Sequence, residues 1–378
     1  MNLKQLSLFA VTEQGQKLAC DIQQDCPFFT AKLRGLDEIE DAFGSDDVLL
    51  FIMATGIVVR KIAPLLSHKS RDPAVLVMDQ GANYLICLLS GHMGGANDWA
   101  RQLADWLCQR GWSTQAVITT ATDVAGVFAV DVYARDQGFV IDNWQGVKTV
   151  NQASVPRQPI RFWLEGHHVL PPKQSHLSVR LVAPLQRSNV GEPPDFISRL
   201  ENSTEPSVLV SMRALPPQIK SSSLILQLIP RQLWVGVGCQ KGKPACEIQA
   251  AFSEMMDAYG LSVSAVAGFG TIQLKAAEEG IQALASVYAR PLQIFQVDTL
   301  KPYETLVSCS DFVCQTAGIG AVSSTVACRL AHLASSLAPN IPLDAVSQNA
   351  LKKYLLVDKW VKAGVTFSVA VTPNIEIC

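Results

Sequence analysis

Ser90-Gly91-His92-Met93-Gly94-Gly95-Ala96-Asn97 follows the apolar run Tyr84 to Leu89 and precedes Trp99, Leu103, Trp106, Leu107 and Arg110, which recur at helical spacing. A run of that length suits a buried parallel strand, so the glycines occupy a strand-to-helix turn of an α/β protein. Glycine lets backbone approach a ligand, Asn97 or Asp98 can cap the helix, and its first N–H groups and dipole favour an anion. His92 stands at the mouth of that turn, as a general base, an acid or a hydrogen-bond donor near neutral pH, or as a brace for the loop.

Working outward, strand-like pieces at Leu6 to Val11, Val48 to Met53, Ala74 to Asp79, Tyr84 to Leu89 and Ala116 to Thr119 alternate with helical patterns. That alternation predicts a mostly parallel, three-layer α/β domain over 1–138. A second glycine turn, Thr55-Gly56, leads into a helix with Arg60 and Lys61. Two turns at carboxyl ends of strands are expected to share one crevice. The carboxylates of Asp72 and Asp79, which flank the strand between these turns, are the reserve candidates for a base. Asp123 reads as a helix cap.

Between 139 and 230 paired prolines such as Pro171-Pro172 and Pro216-Pro217 interrupt short apolar runs, which predicts a small strand-rich middle domain or linker. His167 and His168 there read as surface residues. From 231 to 378 the alternation returns as a second outer α/β domain, with a third glycine turn at Gly238 to Gly242 carrying Lys241, a strand ending near Lys275 and a closing strand at Val365 to Val371. The three glycine turns at Thr55, Ser90 and Gly238 are expected to line one cleft.

The totals exclude several classes. Apolar residues make up 48% of the 378 residues and charged residues 17%, with a net charge of -2, so neither nucleic acid nor an anionic membrane is the expected partner. The ten cysteines form no C-x-x-C pair and no zinc-finger spacing with histidine, which predicts reduced cytoplasmic thiols and no metal site. The apolar start Leu6 to Val11 is too short for a signal peptide and no segment has the length of a membrane span. Gly236-x-Gly238-x-x-x-Gly242 misses the dinucleotide spacing, and there is neither a P-loop nor a G-x-S-x-G elbow.

The segments FIMATGIVVRKIAPLL (51–66), KSRDPAVLV (69–77), LLSGHMGGAN (88–97), TTATDVAGVFA (119–129), VGVGCQKG (235–242) and LKAAEEG (274–280) together resemble the cobalt-precorrin-5A hydrolase family, CbiG, of anaerobic cobalamin biosynthesis. The resemblance implies a hydrolase that opens the ring A δ-lactone of cobalt-precorrin-5A and releases acetaldehyde. It implies a small-molecule cobalt tetrapyrrole as partner, with the cobalt carried by the substrate and no further cofactor; a homodimer and transient contact with neighbouring pathway enzymes remain open. On this reading His92 is catalytic, with Asp72 and Asp79 behind it. Substrate carboxylates are expected at Thr55, Gly56, Arg60, Lys61, Ser90, Gly91, Gly94, Gly95, Asn97, Gly238, Lys241 and Lys275, and the amides of Gly94 and Gly95 are expected to hold an oxyanion. Two alternatives stay open: a tetrapyrrole-binding or channelling protein without catalysis, and an α/β enzyme acting on a phosphorylated metabolite.

Overall fold

A computed structural model describes residues 3–69, 71–166, 169–191, 194, 196–335 and 351–372; His167 and His168 lie outside them. The chain forms two compact units, 1–135 and 136–378.

The first unit is a six-stranded sheet of β1 (Lys4–Ala10), β2 (Phe29–Leu33), β3 (Val48–Ile52), β4 (Ala74–Met78), β5 (Tyr84–Leu89) and β6 (Gln115–Val117), in the order β2-β1-β3-β4-β5-β6. Every residue of β3 and β4 is buried because helices cover both faces. Leu8, Leu50 and Leu76 point to one side, against α1 (Glu13–Asp25). Phe9, Leu49, Phe51, Val75 and Val77 alternate to the other, against α2 (Ile39–Ser45) and α3 (Thr55–Ile62). The Ser90 turn leads into α4 (Ala96–Cys108), which joins the α1 side through Leu103 and Leu107. Beyond β6 come two short helices, α5 (Ala121–Ala125) and α6 (Val130–Asp136), separated at Gly126 with φ 59°.

One strand direction departs from expectation. The run Tyr84 to Leu89 is not a buried parallel strand: β5 pairs antiparallel with β4 and parallel with β6, and Tyr84 is exposed. The reason is the connection Asp79–Asn83, far shorter than the roughly dozen residues a crossover needs. The Asp79 carboxylate holds that hairpin by accepting from the amides of Gly81 (2.9 Å) and Tyr84 (2.7 Å). In consequence Leu89 lies beside Val75 at the start of β4, whereas Ile52, at the end of β3, lies beside Met78. The Thr55 and Ser90 turns therefore stand at opposite ends of the sheet and share no crevice.

The second unit holds two sheets. The first contains β7 (Val140–Ile141), β8 (Ile160–Glu165), β9 (Leu177–Val182), β10 (Ser207–Val210) and β11 (Ile225–Ile229) in the order β7-β11-β10-β8-β9, all parallel except β7. Its helices are α7 (Trp144–Ser154), α8 (Phe196–Glu201) and α9 (Pro217–Lys220). The other contains β12 (Leu233–Cys239), β13 (Val266–Ile272), β14 (Leu292–Phe295), β15 (Leu355–Lys362) and β16 (Val365–Val371) in the order β14-β13-β12-β16-β15. Helices α10 (Ala245–Ala258), α11 (Glu279–Val287), α12 (Asp311–Ala317) and α13 (Val322–Leu333) accompany it. Arg213, beyond β10, bridges to Leu261 on the way to β13, and its buried guanidinium pairs with Glu165 at 2.6 Å. Among the described residues no helix is long and apolar enough to cross a membrane, and all nine described cysteines are free.

Helix α13 approaches β12 so closely that a Cβ on Gly236 would fall 1.8 Å from the Ser323 carbonyl oxygen. Backbone cannot yield as a side chain does, so Gly236→Ala is expected to lower stability by about 3 kcal/mol, the upper range for overpacking. Urea unfolding of the full chain measures it; a loss within about 0.5 kcal/mol, the scale of an innocuous surface change, would show that the helix can shift.

Candidate functional site

The Ser90 turn folds in on itself. Ser90 adopts φ 55° and Gly95 φ 76°, and the amides of Gly95, Ala96 and Asn97 donate to the carbonyls of His92, Ser90 and Gly91. The first N–H groups of α4, expected to face an anion, are thus consumed by the loop itself, and Gly95 offers no oxyanion donor. The other glycines serve close packing. A Cβ on Gly94 would lie 3.0 Å from the Ala74 amide nitrogen, and one on Gly91 would lie 2.7 Å from Asn97 Oδ1. Asn97 does not cap the helix: it is buried in the first turn and donates to Thr120 Oγ1 and Asp123 Oδ2. Among the described residues, the amides of Gly91, His92, Met93 and Gly94 in this turn find no acceptor within the chain.

His92 is gripped from both sides. Its Nδ1 lies 3.0 Å from both carboxylate oxygens of Asp131, and its Nε2 lies 3.0 Å from Asp123 Oδ2 and 3.2 Å from Thr122 Oγ1. The three side chains are 11%, 8% and 17% exposed respectively for His92, Asp131 and Asp123. Burial by itself would push the imidazole pKa down, but the hydrogen bonds and charges of Asp131 and Asp123 outweigh it and the net shift is upward. Asp123 is shifted the other way: desolvation raises its pKa, and the hydrogen bonds and charges of Arg101 and His92 together bring it below its ordinary value. With a carboxylate oxygen at each ring nitrogen, the arrangement favours the doubly protonated ring, a proton donor and not a free base.

Further charges complete the cluster. Arg101 reaches both Asp98 and Asp123, while Arg135 donates to the His92 carbonyl and to Asp98 Oδ2 at 2.6 Å. Cys87, on β5, is pushed up to about 11 by burial and by the charge of Asp123, so it is no thiolate nucleophile. Among the described residues no group of three or more His, Cys, Asp or Glu side chains is placed to hold a metal ion.

The two reserve carboxylates do not join this cluster. Asp72 accepts from the Ser67 amide and hydroxyl and from the His68 amide, which fixes the loop before β4, although its carbonyl accepts from Ser90 Oγ at 2.8 Å. Asp79 is spent on the β4–β5 hairpin at the other end of the sheet. Thr55, Gly56, Arg60 and Lys61 lie at that other end too, where exposed Arg60 donates back to the Gly56 carbonyl. Asp123, read as a cap, instead holds His92, and Asp131 follows the largely apolar stretch Val127-Phe128-Ala129-Val130, where nothing in the sequence marks it. Their partnership with His92 spans 31 and 39 residues, so no local spacing announces it.

In the second unit Gly238 and Lys275 border one cavity of about 460 Å³ at the carboxyl ends of β12 and β13. Lys241, Gly242 and Lys275 border an adjoining one, and Glu278 ties its rim by accepting from the Gly242 amide and Lys275 Nζ.

Comparison with known proteins matches residues 37–123 to the cobalamin synthesis G N-terminal family, 128–230 to the cobalamin biosynthesis central region and 233–370 to the cobalamin synthesis G C-terminus. The chain is 32% identical over 341 residues to the cobalt-precorrin-5A hydrolase of Salmonella typhimurium, covering 86% of this chain and 92% of that protein. It is 29% identical to the enzyme of the same name from Priestia megaterium, over 75% of this chain and 74% of that one. A cobalamin biosynthesis protein G homolog of solved structure from Sulfolobus solfataricus is 17% identical, covers 97% of both chains and has a TM-score of 0.37.

A pH signature follows from the His92 cluster. The raised imidazole pKa contributes stability that is complete below the ordinary value of 6.5 and is lost as pH rises through the folded value. The lowered Asp123 pKa contributes stability present above the ordinary 3.8 and lost as pH falls through the folded value. Stability is expected to peak between these limits and to decline on the alkaline side. Replacing His92 with glutamine should remove the decline and cost about 3 kcal/mol at mildly acid pH, the scale of a nearly buried ion pair left half empty. Urea unfolding across the pH range reads both; parallel profiles for the two proteins would contradict the charge assignment.

Proposed function

The chain belongs to the cobalt-precorrin-5A hydrolase family, and from that premise we propose that it hydrolyses the ring A δ-lactone of cobalt-precorrin-5A, with loss of acetaldehyde, in anaerobic cobalamin biosynthesis. The observation that carries the chemical part is the His92 ring, held through Nδ1 by Asp131 and through Nε2 by Asp123, beside the unpaired amides of Met93 and Gly94.

Water adds to the lactone carbonyl and the negative charge moves to its oxygen, where fixed N–H donors stabilise it with little reorganisation. The Met93 and Gly94 amides fill that role. His92 Nε2 is the working nitrogen: it rests against Asp123 until the substrate's oxyanion displaces that carboxylate, and it then supplies positive charge and a proton. Asp131 acts as a positioning residue that fixes the ring and its charge. The acyl carbon–oxygen bond of the adduct then breaks to give a carboxylic acid and a ring-opened alkoxide, and as that alkoxide becomes a carbonyl its carbon leaves with its methyl group as acetaldehyde. The electron pair of the broken carbon–carbon bond passes into the conjugated macrocycle, which takes up a proton.

Cobalt arrives as part of the substrate, so this chemistry asks for no cofactor of the protein's own. The acetate and propionate arms of the macrocycle suit lysines such as Lys241 and Lys275 without requiring a basic protein. Thr55, Gly56, Arg60 and Lys61 have no part in this reading, because they lie at the far end of the sheet from His92.

Incubating the full chain with cobalt-precorrin-5A and assaying acetaldehyde tests the proposal. The wild type should release acetaldehyde, and His92→Gln should turn over roughly 10² to 10⁴ times more slowly, the range for a lost acid–base group. Substrate that is bound and returned unchanged by the wild type would favour a channelling protein instead.

A further inference from the structure

Glycines on the strands of the C-terminal sheet have a packing reason, with one exception. A Cβ on Gly236 or Gly270 would collide with α13, and one on Gly268 would meet Trp234 at 2.8 Å. Gly238 has neither excuse: its φ is not positive, and a Cβ there would find nothing nearer than Val322 Cγ1 at 3.8 Å. A strand glycine that neither the backbone nor the packing requires weakens the strand, and its remaining use is to let a ligand lie against bare backbone. Gly238 faces the cavity of about 460 Å³.

The walls of that cavity say what it accepts. Leu274 and Val361 border it and leave apolar surface open at its rim, 66% and 58% exposed. Lys275 and the exposed Lys359 stand at the same rim, and α13 opens onto it with Ala321 at its N-cap, which supplies no side-chain oxygen. Apolar walls with cations at the edge match a flat apolar ring bearing carboxylate arms.

We propose that this cavity is a binding subsite that takes one carboxylated edge of a tetrapyrrole macrocycle against Gly238, its arm paired with Lys359 and Lys275. The inference rests on the substrate class proposed above and assigns part of its recognition to the C-terminal sheet.

Uroporphyrin, a stable polycarboxylate macrocycle, serves as the probe in fluorescence titrations of the full chain. Gly238→Leu puts a side chain into the cavity from a position where a Cβ meets nothing nearer than 3.8 Å, and Lys359→Gln removes one surface charge with no demand on folding. Each should weaken uroporphyrin binding by about tenfold, the equivalent of one good contact, with the unfolding midpoint in urea unchanged. Lys359→Gln should also flatten the salt dependence. Wild-type affinity in both variants would overturn the subsite while leaving macrocycle recognition by the chain intact. Failure of the wild type to bind uroporphyrin at all would overturn the macrocycle reading together with the subsite.

Discussion

Two carboxylates share the imidazole of His92, and three chain segments are held in register by that sharing. The Ser90 turn presents the ring, Asp123 comes from α5 and Asp131 from α6. Each carboxylate is largely removed from water, a costly state unless its charge is answered. The answer comes from protonated His92, with Arg101 and Asn97 completing Asp123 and Arg135 closing the turn from outside. The helices that carry the acids are short: α5 buries only Thr122, whereas α6 adds Val130, Tyr133 and Ala134 to the interior beside Asp131, so polar bonds and apolar packing place them together. The same bonds give His92 its chemical character, since a ring held between two anions keeps its proton.

Where this cluster can sit is decided by the hairpin at Asp79. Because β5 returns antiparallel, the turn that follows it emerges at the end where β4 begins, next to Asp72 and away from Thr55. A crossover there would have put both glycine turns on one edge, as open parallel sheets do at their ligand sites. The carboxylate of Asp79 is thus remote from the chemistry yet fixes its address: by stabilising a tight turn it sets the direction of the strand that delivers His92.

Much of the architecture was legible in the sequence, because buried strands such as Val48–Ile52 and Ala74–Met78 must be continuously apolar and the Gly238 and Ser90 turns interrupt apolar runs with clear glycine patterns. Strand β2 escaped notice: with sequence FTAKL it lies at the sheet edge, and the burial that makes a strand recognisable is only partial there. The direction of β5 was legible in principle from the length of the Asp79–Asn83 connection, but composition alone pointed to a parallel strand. His92 could be singled out as the titrating group of its turn. Its partners could not, since Asp123 resembled a helix cap and Asp131 followed an apolar run. Only the folding of α5 and α6 back over the turn reveals them.

Titration of the His92 ring nitrogens by ¹⁵N NMR in the full chain, assigned with His92→Gln, reads this arrangement most directly. Both nitrogens should carry protons at neutral pH, and the ring should titrate above the ordinary histidine value of 6.5. A ring that is neutral at pH 7, or one that titrates below 6.5, would mean that Asp123 and Asp131 do not hold it as a cation, and the proton-donor role would fall with that clamp.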